Sequence, residues 1–153
     1  MRGVYTASYL ISGLSAAKTL MYITTTSSIM AEILSASVTD ATNVTNQQLE
    51  ITLQRVATLG TPTATSITPA QHENSDQAAV STVKANVTAS EPTYTANTQI
   101  GHEGCSSLGG WFFDPMPEER PLIPPSATMG LRLLTSSPTA QDTVVRITFR
   151  ELG

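Results

Sequence analysis

The chain reads as an all-β protein, a two-sheet antiparallel sandwich, and three observations carry that expectation. The segment Thr143 to Leu152 places Val145, Ile147 and Phe149 on one face and Arg146, Thr148 and Arg150 on the other, the period-2 pattern of a half-buried strand. Charged residues make up only 13% of the sequence, about half the usual share. Their place is taken largely by Thr, Ser, Ala, Asn and Gln, and the β-branched threonines favour strands while keeping an exposed face wet without charge. Five of the nine prolines fall between Pro115 and Pro125. Each fixes φ and removes a backbone donor, so no helix or central strand can pass through that segment. A rigid extended crossover is expected there.

The elements follow in order. Val4 to Ile11 alternates Tyr5, Ala7, Tyr9 and Ile11 against Thr6, Ser8 and Leu10, a strand closed by a turn at Gly13 and Ser15. Thr19 to Thr26 and Ile29 to Val38 read as the second and third strands. Asp40 to Asn46 has the Asp, Asn and Thr of a turn. Gln48 to Thr58 sets Leu49, Ile51 and Leu53 against Glu50, Thr52 and Gln54 as a strongly amphipathic strand. Gly60 to Thr68 reads as a loop or an edge, and Pro69 to Asp76 as a polar turn. Ala78 to Thr88 is ambiguous, because Ala79, Val83 and Val87 recur at a helical spacing. Its Val, Thr and Asn are poor helix formers, and the segment is assigned as a strand. Thr93 to Ile100 is a further strand, Gly101 to Gly110 a glycine-rich turn, and Trp111 to Phe113 a short aromatic strand. Gly130 to Leu134 and Thr143 to Leu152 complete the series. Eight or more short strands at this spacing suit a sandwich or barrel, of which the jelly roll is the commonest form in virus shells. No repeat and no boundary divides residues 1–153, which read as one domain with enough length to bury a core unaided.

Charge and composition exclude several functions. The net charge is −4, and the eight basic residues are scattered, so no cluster exists to displace counterions from a phosphate backbone or to hold an anionic membrane. Neither nucleic acid nor a membrane is expected as a partner. The first 23 residues lack an unbroken apolar run, which argues against a secretory leader, and no window is long enough to span a bilayer. The protein is expected to be made and kept in soluble form. The sequons at Asn43 and Asn86 then carry no weight.

Four places in the sequence could carry chemistry. His72-Glu73 and His102-Glu103, with Cys105, are the only candidates for a metal site, but no ligand spacing such as HxH supports one. Neither a metal nor a cofactor is expected. Gly104 to Gly109 only superficially resembles a nucleophile elbow, and nothing near Cys105 would depress its pKa. Glu118 and Glu119 are adjacent in an extended segment and point apart, unlike paired glycosidase carboxylates. Arg120 beside them suits pairing with a carboxylate or a carbonyl. Trp111, Phe112 and Phe113 form the one dense aromatic cluster. Alternation places Trp111 and Phe113 together, with the core as the default and a subunit interface or ligand platform as alternatives. No catalytic residue is expected. Trp111, Phe112, Phe113 and Arg120 are candidate interface residues.

The C-terminal third carries a resemblance. Gly110-Trp111, Pro115-x-Pro117-Glu118-Glu119-Arg120, Ile123-Pro124-Pro125, Gly130 to Leu134, and Val145-x-Ile147-x-Phe149-x-Glu151-Leu152 resemble a group of small tailed-bacteriophage structural proteins. The opening Tyr5-Thr6-Ala7-Ser8 is similar too. The chain departs from that group in Arg150, where an acidic residue is common, and in Ser126-Ala127, where glycine is expected. The resemblance implies a jelly-roll capsid decoration, or cement, protein. It would be a non-enzymatic homotrimer seated at local threefold positions on the outside of the virion head, with the major capsid protein as its partner. The acidic balance agrees with a site away from packaged DNA. The alternatives are a receptor- or glycan-binding module of a head fibre or tail, and a cupin-like metalloenzyme.

Overall fold

In a computed structural model, which describes residues 2–42, 45–136 and 138–153, the chain forms twelve strands. They are β1 (Gly3–Leu14), β2 (Lys18–Thr24), β3 (Met30–Asp40), β4 (Gln48–Thr58), β5 (Thr63–Ile67), β6 (Ala70–Gln71), β7 (Thr82–Ala89), β8 (Thr93–Ser106), β9 (Trp111–Phe113), β10 (Leu122–Ile123), β11 (Thr128–Leu133) and β12 (Gln141–Leu152). The pairing is nested from the ends inward and antiparallel throughout. β1 pairs with β12, β2 with β11, β3 with both β9 and β10, and β4 with β8. A long hairpin rolled up in this way is a jelly roll. The first sheet runs β10-β3-β12-β1-β6 with β9 also on β3, and the second runs β5-β7-β2-β11-β4-β8. Between β4 and β8, the segment β5 to β7 widens the second sheet beyond β2 and lends β6 to the edge of the first.

The core lies between the sheets. Val145, Ile147 and Phe149 are buried, as are Tyr5, Ala7 and Ile11 of β1 and Leu49, Ile51 and Leu53 of β4. These are the faces that alternation assigns inward. Tyr5 and Phe149, opposite one another in the β1–β12 ladder, pack with ring centroids 5.5 Å apart. Each side of the sandwich is also laced by a polar contact between sheets. On one side the Trp111 indole N–H donates to the Gly101 carbonyl at 3.0 Å. On the other, the buried Glu151 carboxylate at the end of β12 accepts from the Val80 N–H at 3.0 Å and the Ser81 N–H at 2.7 Å. Arg2 lies 3.3 Å from the same carboxylate, so the buried charge is both paired and hydrogen-bonded.

Four expectations change. Ala70 and Gln71, expected in a polar turn, form β6 against Tyr5 and Thr6. β5 and β6 are one stretch of chain that crosses from the second sheet to the first at Thr68-Pro69, as corner strands of sandwiches do. Residues Gly101 to Ser106, expected in a glycine-rich turn, continue β8, and the turn shrinks to Ser107 to Gly110. The β4–β8 ladder passes Gly101 at a break in register and pairs Gly104 with Glu50, which a composition rule cannot foresee. The proline crossover contains a single 3-10 turn at Pro117–Glu119 and returns to the sheet as β10. Pro117 opens that turn, where its missing N–H leaves no bond unmade. Finally, Thr52 and Gln54 are buried although they face away from the core. Tyr94 lies across this outer face, with its hydroxyl 2.6 Å from the Thr19 hydroxyl and its ring 4.0 Å beneath the Arg132 guanidinium. The ring fits because residue 130 is glycine, since a Cβ there would strike the Tyr94 hydroxyl. The sequon residues Asn43 and Val44 lie outside the described residues. Asn86 sits in β7, where its side-chain carbonyl accepts from the Lys18 ammonium at 2.6 Å.

Candidate interaction surface

The outer face of the first sheet is built from the residues that alternation turns away from the core. Phe112 of β9, Ser37 of β3, Arg146 of β12 and Ser8 of β1 stand in one row across four strands. The next row holds Ser35, Thr148 and Thr6. The Thr6 hydroxyl lies 2.9 Å from that of Thr148 and 2.7 Å from the His72 imidazole. Short hydroxylated side chains keep the face low, so Arg146 and Phe112 rise above it. At one end Leu10 is exposed beside Val144. At the other, Glu32 of β3 is buried between Arg150 of β12, which donates to it, and Arg120 of the proline crossover at 3.9 Å.

The four candidate interface residues fall at this margin in different states. Trp111 is buried in the core and stacks on Phe113, with ring centroids 6.0 Å apart. Phe113 is half-buried against Trp111 and Gly101. Phe112, which alternation turns outward, is 65% exposed, enough to serve as an anchor for another surface. Arg120 is turned in toward Glu32 and positions the crossover. Phe112, Ser35, Ser37, Asp114 and Arg146 line a cleft of about 220 Å³, in which an aromatic ring and hydroxyl, carboxylate and guanidinium groups converge.

The titratable candidates are dispersed. His72 and His102 belong to different sheets, the first beside Thr6 of β1 and the second paired with Glu50 at 2.6 Å across β4 and β8. The His102–Glu50 pair is solvent-exposed on both sides and contributes little to stability. It borders a shallow groove of about 650 Å³ lined also by Gln48, Glu103 and Thr135. Cys105 lies opposite Leu49 and packs against the core, where burial, and then the Glu103 charge, raise its thiol pKa. That is the reverse of what a nucleophile needs. Glu118 and Glu119 are exposed on the 3-10 turn. Among the described residues no three His, Cys, Asp or Glu side chains gather as metal ligands, and no helix is long and apolar enough to cross a membrane.

Two polar clusters were not anticipated from the sequence. The Tyr94 cluster includes Glu91, whose carboxylate accepts from the Thr19 N–H at 3.0 Å and from its hydroxyl at 2.6 Å. Burial pushes the Tyr94 phenol up to about 12, opposed by the Thr19 hydrogen bond and the Arg132 charge. In the sequence, Glu151 is only one position of the terminal strand. Neither has a local signal, because the partners are separated by about seventy residues in each case.

Comparison of the chain with protein-family models, with curated proteins and with solved structures finds no match.

Proposed function

We propose that this protein acts by binding rather than catalysis, as a decoration protein that clamps the outer surface of a tailed-phage head, as a trimer at local threefold positions. The observation that carries the reading is the outer face of the first sheet, low and hydroxyl-rich, with Phe112 standing at its rim. Such a face can lie against another protein with Arg146 as the one charge that rises from these rows, and one aromatic anchor can supply much of the attachment. The jelly-roll topology and the resemblance of the last third to phage structural proteins support the same reading, although fold by itself does not assign function. Each trimer would bridge several major capsid subunits. Individually modest contacts would then add through effective concentration, each full interface burying on the order of 1,600 Å².

Mass spectrometry of purified, DNA-filled particles tests this directly. The protein should occur in a copy number comparable with that of the major capsid protein, and its complete absence would refute the reading. Phe112→Ala should leave the fold intact because the ring is exposed. It should weaken attachment by about 2 kcal/mol, roughly thirtyfold, if Phe112 is the anchor.

The Phe112 cleft also favours a second reading, a glycan-binding module of a head fibre or tail. An exposed aromatic ring next to Ser37, Asp114 and Arg146 offers a stacking surface and hydrogen-bonding groups suited to a sugar. That reading expects only a few copies per particle. It also expects glycan-array binding that Phe112→Ala abolishes.

A further inference from the structure

We propose that the open edge of β1 pairs with the β1 edge of a second copy, making a twofold contact centred on Leu10. β6 covers β1 only at Tyr5 and Thr6. Beyond Thr6, among the described residues, no strand pairs with that side of β1. The His72 N–H donates to the Val4 carbonyl. Because backbone groups alternate sides along a strand, Ser8 and Leu10 therefore turn their N–H and C=O groups to the open edge.

An uncovered edge is a template for pairing, and folded proteins blunt such edges with proline, charge, bulges or brevity. The other edges of this sandwich are blunted in these ways. β5 is five residues long, with Pro62 just before it and Pro69 just after. β8 carries His102 and Glu103 and breaks register against β4 three times. β9 and β10 are short and separated by the proline crossover. β1 has none of these devices between Ala7 and Ile11, and its register with β12 breaks only after that stretch. Its register with β12 is unbroken from Gly3 to Ile11, and it contains no charge or proline in that span.

The exposed stretch also fits itself. Ser8-Tyr9-Leu10-Ile11-Ser12 reads nearly the same in both directions. In an antiparallel pairing about Leu10, Leu10 meets its counterpart, Tyr9 meets Ile11, and Ser8 meets Ser12. Leu10 is 49% exposed in the single chain and becomes covered. Tyr9–Ile11 forms an aromatic–aliphatic cross-strand pair on each side. No like charges face one another. Such a contact is isologous, so it can join two chains or two trimers but cannot itself build a trimer. It therefore stands or falls independently of the capsid reading.

Sedimentation of the full chain at concentrations up to the order of 100 µM, where a low-end interface is populated, should show a dimer, or a hexamer if trimers form. Leu10→Lys should return the particle to half that mass while leaving the circular-dichroism spectrum unchanged, and the melting temperature unchanged at dilutions where the wild-type chain has also dissociated. Cross-linking fixes the register in a Cys105→Ser background. Opposed residues of a hydrogen-bonded antiparallel pair lie about 5.5 Å apart, within disulfide reach. Leu10→Cys should oxidise to a covalent dimer, and Ser8→Cys alone should not. An equal mixture of Ser8→Cys and Ser12→Cys chains should again cross-link. A wild-type chain that stays monomeric, or trimeric with no further association, overturns the proposal. Cross-linking of Ser8→Cys to itself as readily as Leu10→Cys would overturn it as well.

Discussion

Trp111 combines the largest buried side chain with a hydrogen bond that crosses between the sheets. Trp111→Ala should cost about 3–5 kcal/mol and lower the melting temperature by roughly 10 °C for a chain of this size. An unchanged melting temperature would show that the ring packs elsewhere. Tyr94 answers to pH. Its phenol is held neutral by burial, with a pKa near 12 against 10.0 for the free group. The folded state therefore keeps a proton that the unfolded chain gives up. The associated stability is fully present below pH 10 and is lost as pH rises toward 12, amounting to roughly 2–3 kcal/mol. Tyr94→Phe should lose about 1 kcal/mol at neutral pH with the Thr19 hydrogen bond. It should also flatten the decline in stability between pH 10 and 12, as urea titrations across that range would reveal. The inward setting of Trp111 follows from alternation along three residues. The covering position of Tyr94 does not, because it depends on a break in the β4–β8 ladder and on a glycine in β11.

Strands with an uninterrupted two-residue period were legible as elements. β1, β4 and β12 run close to the spans that alternation assigns, because each has one face in the core and a register slip would expose it. β7 was harder. Its apolar residues admit a helical spacing, and only pairing with β2 and β5 resolves it as a strand. β6 and the second half of β8 carry no two-residue apolar period, and partner strands hold them rather than their own preferences. The Glu151 bridge has the same non-local origin. Glu151→Ala should leave the Val80 and Ser81 amides unpaired, at a cost of about 2–3 kcal/mol. Chemical denaturation of that variant should report a lower midpoint with an unchanged slope.

Nested pairing makes the molecule's integrity depend on its ends. β12 lies between β3 and β1 in the middle of the first sheet, so its loss removes two ladders and takes Val145, Ile147 and Phe149 out of the core. Deleting residues 143–153 should abolish cooperative folding, visible as a lost thermal transition, where removal of an edge strand would only fray the sheet. Contacts so distant in sequence are costly to close before they stabilise anything. Refolding should accordingly fall in the slow range of milliseconds to seconds typical of all-β domains, as stopped-flow fluorescence of Trp111 can measure.

Period, proline placement and low charge were enough to make this chain a β-sandwich, because those properties act through the local backbone and through which side chains leave water. Which strand lies beside which, which polar groups sink beneath Tyr94, and which edge stays open were settled only by the folded molecule. Those features come from residues far apart in the chain that meet across a sheet, and no short window of sequence contains both partners.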